Sequence, residues 1–129
     1  MRKRYNRLLE LNTGIQKKSN VLRNLITSFL EHKRITTTPK RAKVLRFEMD
    51  KLLSKLVKTY NRYDNKEESL REVKRILTKT LYKDELINDV VDNKILAYVE
   101  ENRVSWFTRV YRIWVRSGDS VEKIMVELI

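Results

Sequence analysis

Apolar residues recur at helical spacing over most of this 129-residue chain. Ser19 is a suitable N-cap, and the apolar residues that follow it at i, i+3 and i+4 spacing predict a first helix. Thr38 and Pro39 have the residue types of an N-cap and a first helical position, so a second helix is predicted from there to about Tyr60. The two apolar stripes comprise Val21, Leu22, Leu25, Ile26, Phe29 and Leu30, and Ala42, Leu45, Met49, Leu52, Leu53, Leu56 and Tyr60.

Two more helices are predicted between residues 65 and 104. Asn65, with Glu68 three residues later, resembles a capping pair for the third helix, and Asp84 is a candidate cap for the fourth. Acidic side chains are spread around the polar face of the fourth helix, which indicates a solvated surface rather than a metal site. The inward positions are Leu70, Val73, Ile76 and Leu77 in the third helix, and Leu86, Ile87, Val90, Val91, Ile95 and Val99 in the fourth.

The period changes to two near the C-terminus. Residues 106–115 and 121–129 alternate on either side of a turn-forming segment at 117–120, which predicts a β-hairpin, and the β-branched residues 35–37 predict a short strand between the first two helices. Alternation places Phe107, Arg109, Tyr111, Ile113 and Val115 on one face of the first hairpin strand, and Thr108, Val110, Arg112, Trp114 and Arg116 on the other.

The predicted order is helix, strand, three helices and two strands, which is an α+β fold of two layers. A single domain is expected to span residues 19–129. Residues 1–18 are predicted to form a basic extended arm, because Asn12 and Gly14 interrupt a helix there.

Positive charge is concentrated in the first third of the chain. Residues 1–46 contain 13 Lys and Arg and 2 acids, a net charge of +11, whereas residues 47–129 contain 16 Lys and Arg and 15 acids, a net charge of +1. Such an asymmetry indicates a polyanionic partner. Nucleic acid is favoured over a membrane surface, because the apolar stripes are needed for a core.

Several function classes are excluded or disfavoured. The chain has no cysteine, which rules out disulfides, a thiol nucleophile and a cysteine-ligated metal. It has no apolar run long enough for a membrane span, and its two glycines cannot form a phosphate-binding loop. The single histidine, His32, is predicted near a helix end. We therefore predict a protein that is not an enzyme and has no cofactor, metal or small-molecule substrate.

The second helix begins with an unusual cluster of cations. Lys40, Arg41, Lys43 and Arg46 lie in its first two turns, where the helix dipole is positive and disfavours them. A bound anion would remove this conflict, and a solvated basic turn is the alternative. The predicted RNA-binding residues are Arg2, Lys3, Arg4, Arg7, Lys17, Lys18, Arg23, Lys40, Arg41, Lys43, Arg109, Arg112, Trp114 and Arg116.

These residues have distinct predicted roles. Arg23 is expected to point outward from the first helix, and Trp114 is expected to stack on a base or to pack against a helix. A second hypothesis treats the first two helices as a helix-turn-helix-like DNA-binding pair, although the β-branched run between them is unlike a tight turn. A third is an adaptor that binds proteins through the C-terminal half.

Several segments resemble the bacterial-type large-subunit ribosomal protein L17 family. Ser105-Trp106 departs from that family's Gly-Gly pair, Gln16 to Ser19 departs from its Ser-His-Arg, and His32 follows Glu31 rather than preceding it. The similar segments are Met1-Arg2-Lys3-Arg4, Leu22-Arg23-Asn24-Leu25, Phe29-Leu30-Glu31-His32, the run from Ile35 to Lys43, Phe107-Thr108-Arg109-Val110, Arg116-Ser117-Gly118-Asp119, and Val126-Glu127-Leu128-Ile129.

The resemblance implies the same order of elements and a structural role near the polypeptide exit side of the large subunit. It implies contacts with large-subunit ribosomal RNA and neighbouring ribosomal proteins. The start at Met1-Arg2-Lys3-Arg4 favours a protein without a targeting segment, and thus a bacterial cytoplasm, with an organellar ribosome as the alternative.

Overall fold

A computed structural model describes residues 15–129, with side chains from Ser19 onward. The predicted contacts of Arg2, Lys3, Arg4 and Arg7 lie outside the described residues. The elements are α1 Ile15–His32, β1 Arg34–Thr37, α2 Pro39–Arg62, α3 Lys66–Thr80, α4 Asp84–Val90, a π-helical turn Val91–Ile95, α5 Leu96–Glu100, β2 Thr108–Val115 and β3 Glu122–Leu128.

The first helix begins earlier than predicted. Its first residue is Ile15, so residues 15–18, with Lys17 and Lys18, are helical and do not belong to an extended arm. Gln and Lys are good helix formers, and their propensity outweighs the N-cap preference of Ser19.

The other helices begin close to the predicted positions. Thr38 precedes α2 in an extended conformation, but its side chain makes no capping hydrogen bond. The side chain of Asn65 caps α3 by accepting a hydrogen bond from the Glu67 amide at 3.0 Å. Lys83, rather than Asp84, occupies the N-cap position of α4. The predicted fourth helix is continuous from Asp84 to Glu100 but contains the π-helical turn.

The three strands form one antiparallel sheet in the order β1-β3-β2. The helices cover one face of this sheet, where Ile124, Val126 and Leu128 of β3 are buried in the same core as Phe29 and Leu53. This arrangement confirms the predicted two-layer α+β fold. It also separates α1 from α2 by a strand that pairs with β3, which is unlike a helix-turn-helix pair.

Strand β2 departs from simple alternation. Up to Arg112 it pairs residue by residue with β3, but a bulge then lets Trp114 pair with Lys123, so that Ile113 is the extra residue. Directly opposed residues lie on the same face of a sheet. Trp114, opposite Lys123, therefore lies on the uncovered face, whereas Arg112, opposite the buried Ile124, lies on the helix side. The prediction that Arg112, Trp114 and Arg116 share one face is therefore wrong.

The segment before β2 holds an unusual backbone conformation. Trp106 has a φ of 62°, in the left-handed region that glycine adopts readily. For a bulky residue this conformation costs roughly 1–2 kcal/mol. It is the position at which the resembled family has the second glycine of its Gly-Gly pair, so the chain keeps a glycine-like backbone while carrying a tryptophan.

Candidate nucleic-acid interface

The start of α2 is an exposed basic surface. Lys40, Arg41 and Lys43 are all exposed, and the first turn of the helix contains no acidic residue. The side chain of Thr38 makes no capping hydrogen bond to the start of α2. Cations thus gather at the positive end of a long helix that has neither a side-chain cap nor a first-turn acid, which is a suitable arrangement for binding an anion.

The uncovered face of the sheet carries a second basic surface, which we call the outer sheet face. In the strand register, Glu127 lies between Arg34 and Arg109, and the next row contains Thr36, Met125 and Tyr111. Trp114 and Lys123 form the following row. Tyr111 and Trp114 are 41% and 60% exposed, so this face combines cations with accessible aromatic rings.

Two predicted hairpin arginines are engaged within the protein. Arg112 lies 3.8 Å from Glu122 on the helix side of the sheet edge. Arg116 donates from its Nε to Asp119 at 2.9 Å and also pairs with that carboxylate through Nη2. The hydrogen bond from Arg116 lowers the pKa of Asp119 to about 2. Arg109, opposite Glu127, is the predicted hairpin arginine that lies on the outer sheet face.

Arg23 does not point outward as predicted. It is half-buried, and its guanidinium donates to the carbonyl oxygens of Thr78 at 3.2 Å and Leu81 at 2.9 Å. The same group lies 4.1 Å from the centre of the Tyr82 ring. Arg23 therefore ties α1 to the C-terminal end of α3, where a cation stabilises the helix dipole.

Helix α2 and the start of β2 meet at a polar junction. The Asp50 carboxylate accepts a hydrogen bond from the Phe107 amide at 3.2 Å, and Arg103 donates to the Trp106 carbonyl at 3.0 Å. Arg46 lies over the Trp106 ring, 5.9 Å from its centre. These contacts fix the left-handed backbone at Trp106 and connect the basic start of α2 to β2.

The contribution of Asp50 to the stability of the protein depends on pH, and replacing Asp50 with asparagine would remove that dependence. Burial raises the pKa of Asp50 above its ordinary 3.8, against smaller opposing effects from the Phe107 amide and Arg46. The folded state then binds this proton more tightly than the unfolded state. The contribution of Asp50 to stability is accordingly full below pH 3.8 and declines as the pH rises through the higher folded-state pKa.

We expect the stability difference between wild type and Asp50→Asn to shift in favour of the variant as the pH is raised through this window. Urea unfolding from about pH 3 to about pH 7 measures that difference. Taking the difference between the two proteins cancels the contributions of Glu31 and Asp89, which both proteins contain. Hydrogen bonds from Lys83 and Lys33 lower the pKa values of these two carboxyls, so their contributions to stability change with pH in the opposite direction. A difference that is constant with pH would contradict the expectation.

Sequence reasoning missed part of the outer sheet face. Arg34, Tyr111 and Lys123 belong to it because of strand order and register. Trp106 was also missed, although it is the most exposed large apolar side chain of the described residues. The only signal in the sequence was the replacement of a glycine position by a tryptophan.

The described residues define a small, basic α+β protein with exposed cations at a helix start and on an open sheet face. Within residues 15–129, no His, Cys, Asp or Glu side chains gather in a group of three or more that could hold a metal ion. No helix in the same part of the chain has the length and apolar character needed to cross a membrane.

Comparison with known proteins gives the family. The family model described as "Ribosomal protein L17" matches residues 21–129. The chain is 35% identical over 121 residues to the large ribosomal subunit protein bL17 of Fervidobacterium nodosum, covering 93% of both proteins. It is 37% identical over 116 residues to that of Thermotoga sp. (strain RQ2), covering 90% of this chain and 85% of the relative. For Clostridium perfringens (strain SM101 / Type A) the identity is 35% over 109 residues, covering 84% and 86%.

The chain belongs to the ribosomal protein L17 family. It is accordingly a structural component of the ribosome and not an enzyme. The resemblance drawn from the sequence motifs is thereby confirmed.

Proposed function

We propose that this protein is a structural constituent of the large ribosomal subunit and binds large-subunit ribosomal RNA through its basic arm, the start of α2 and the outer sheet face. The observation that carries the proposal is the cation-rich start of α2. Lys40, Arg41 and Lys43 lie at the positive end of the α2 dipole, where Thr38 makes no side-chain capping hydrogen bond and the first turn contains no acidic residue. Phosphate groups would neutralise these cations and interact favourably with the helix dipole.

The arm would extend the contact along the RNA backbone. Arg2, Lys3, Arg4 and Arg7 precede a single acid, Glu10, and Lys17 and Lys18 continue the positive charge into the first turn of α1. Flexible or extended basic segments neutralise phosphates without reading sequence.

The outer sheet face would add recognition of nucleotides. Tyr111 and Trp114 present rings on which unpaired bases or riboses can stack, while Arg34, Arg109 and Lys123 supply charge nearby. Arg116 would contact RNA by sharing or exchanging its hydrogen-bonded partner Asp119, whereas the Arg112 side chain is 82% exposed and accessible despite its approach to Glu122. Arg23 supports binding indirectly, by holding α1 against α3.

The relatives support the proposed location. They are bacterial proteins with the printed name "large ribosomal subunit protein". We accordingly propose a place in the large subunit of a bacterial ribosome in the cytoplasm, with neighbouring large-subunit proteins as further partners. The exposed apolar residues Val110 and Val115 on the helix side of the β2 edge suit such protein contacts.

The test compares two charge-matched triple variants on one helix. Lys40, Arg41 and Lys43 are replaced by alanine in the first, and the exposed Lys51, Lys55 and Lys58 are replaced by alanine in the second. Binding of each protein to full-length large-subunit ribosomal RNA is measured over a range of salt concentrations. The first variant should lower the slope of log affinity against log salt by about 1 for each lost phosphate contact, and the second should leave it close to wild type.

Two results would overturn the proposal. One is an equal loss of slope in both variants, because binding would then depend on net charge and not on the start of α2. The other is a preference of the wild-type protein for duplex DNA in competition with the RNA. Thermal unfolding of both triple variants is the control for folding.

A further inference from the structure

Trp106 is an exposed aromatic residue in a conformation that disfavours it. Its φ is 62°, and it is 68% exposed, so its ring contributes little to the core. Core burial therefore does not explain a bulky side chain at a backbone position that suits glycine. Strained residues that lack such compensation are concentrated at binding and catalytic sites.

The surroundings hold the backbone at Trp106 in place. Arg103 donates to the Trp106 carbonyl, and the next amide, that of Phe107, donates to Asp50. Phe107 itself is completely buried, which anchors the chain directly after the tryptophan. The indole is thus presented from a backbone that is held on both sides, so a ligand that stacks on the ring need not order this segment.

One side of the ring already has a cationic partner. The Arg46 guanidinium lies over the indole at 5.9 Å from its centre, within the range of a cation–π contact. Two thirds of the residue is exposed, which leaves ring surface accessible to a planar group. Lys43 is exposed about one turn before Arg46 on α2.

We propose that Trp106, supported by Arg46, is a stacking site for one unpaired base of the ribosomal RNA. The inference rests on the proposed function and adds to it a binding site next to Arg46 of α2, directly before β2. A nucleotide brings a flat aromatic ring together with a phosphate, which suits an exposed indole with Arg46 already over it. The phosphate favours RNA over a protein side chain here, because the exposed cations Lys40, Arg41 and Lys43 precede Arg46 in the same helix.

The test exploits the backbone conformation of Trp106. In Trp106→Gly the ring is removed while glycine accepts the left-handed conformation, so the fold should be retained or stabilised. Trp106→Tyr keeps an aromatic ring. With full-length large-subunit ribosomal RNA, we expect affinity about 5- to 100-fold weaker for Trp106→Gly and within a few-fold of wild type for Trp106→Tyr.

Fluorescence gives a direct second measurement. The chain has two tryptophans, so in a Trp114→Phe background the emission comes from Trp106 alone. RNA should quench this emission, and irradiation should cross-link Trp106 to a nucleotide. If the wild type binds RNA but Trp106→Gly binds equally well and no quenching occurs, the stacking site is wrong while the proposed function stands.

Two other outcomes would also overturn the inference. If the wild-type protein does not bind the RNA, the proposed function and the stacking site fail together. If Trp106 cross-links to protein and not to RNA in intact large subunits, the ring is a protein contact. Thermal unfolding of Trp106→Gly distinguishes a loss of contact from a loss of fold.

Discussion

Phe107→Ala is expected to lower the free energy of unfolding by about 3–5 kcal/mol, as is typical of removing a large buried aromatic side chain. Phe107 is fully buried and makes an edge-to-face contact with Tyr98, with ring centres 4.9 Å apart. It is the residue through which the start of β2 reaches the helical layer. Its amide also bonds to Asp50, so a shift of the backbone after truncation would disturb that carboxylate too. Urea unfolding followed by circular dichroism measures the change.

The same strand supplies the control. Val115 is 57% exposed near the far end of β2, and Val115→Ala should change stability by no more than about 0.5 kcal/mol. Comparable losses in the two variants would show that the hairpin is not anchored at Phe107. A large loss for Phe107→Ala alone would support Phe107 as a main anchor of the hairpin in the core.

Arg23→Ala is expected to lower the free energy of unfolding by about 2–3 kcal/mol, because hydrogen bonds from a charged donor contribute about 1.5–3 kcal/mol. The substitution removes both bonds to the α3 carbonyl oxygens and the contact with the Tyr82 ring. Arg23→Lys keeps the charge but loses the planar fork, so it should restore only part of the stability. Urea unfolding of the three proteins gives the comparison.

Arg71 is the matched control for this residue. It is exposed on α3, and Arg71→Ala removes the same charge with little expected change in stability. A stable Arg23→Ala variant with weakened RNA binding would reverse our interpretation and restore Arg23 as an outward RNA contact. An unstable variant whose folded fraction binds RNA normally would establish Arg23 as a connection between α1 and α3.

The predictability of this fold differs between elements. Thr38-Pro39 marks the start of α2 because a β-region cap and a fixed proline φ are local properties. The first residue of α1 was harder to predict, because Ser19 favours a start at that residue whereas the helix-forming residues 16–18 favour an earlier one. The bulge at Ile113 had no signal in the sequence, since it depends on how β2 meets β3.

The candidate site was predictable where exposure is decided within one helix. Lys40, Arg41 and Lys43 lie outside the apolar stripe of α2 and are exposed as expected. Arg23 also lies outside the stripe of α1, but the end of α3 packs against that side of the helix and offers it two carbonyl oxygens. Helical periodicity shows which side of a helix faces the main core, and it does not show what neighbouring elements place on the other side.

If RNA binds the outer sheet face as proposed, the position of Glu127 restricts how it can lie across the sheet. In the unbound protein, which carries a net charge of +12, this carboxylate on the central strand β3 reduces the repulsion between Arg34 of β1 and Arg109 of β2. Once RNA arrives, the same carboxylate repels any phosphate placed over the middle of its row. Phosphates would then be directed to the two edges of the sheet, leaving the centre to bases and riboses. The sheet would thereby select an orientation of the RNA strand as well as its presence.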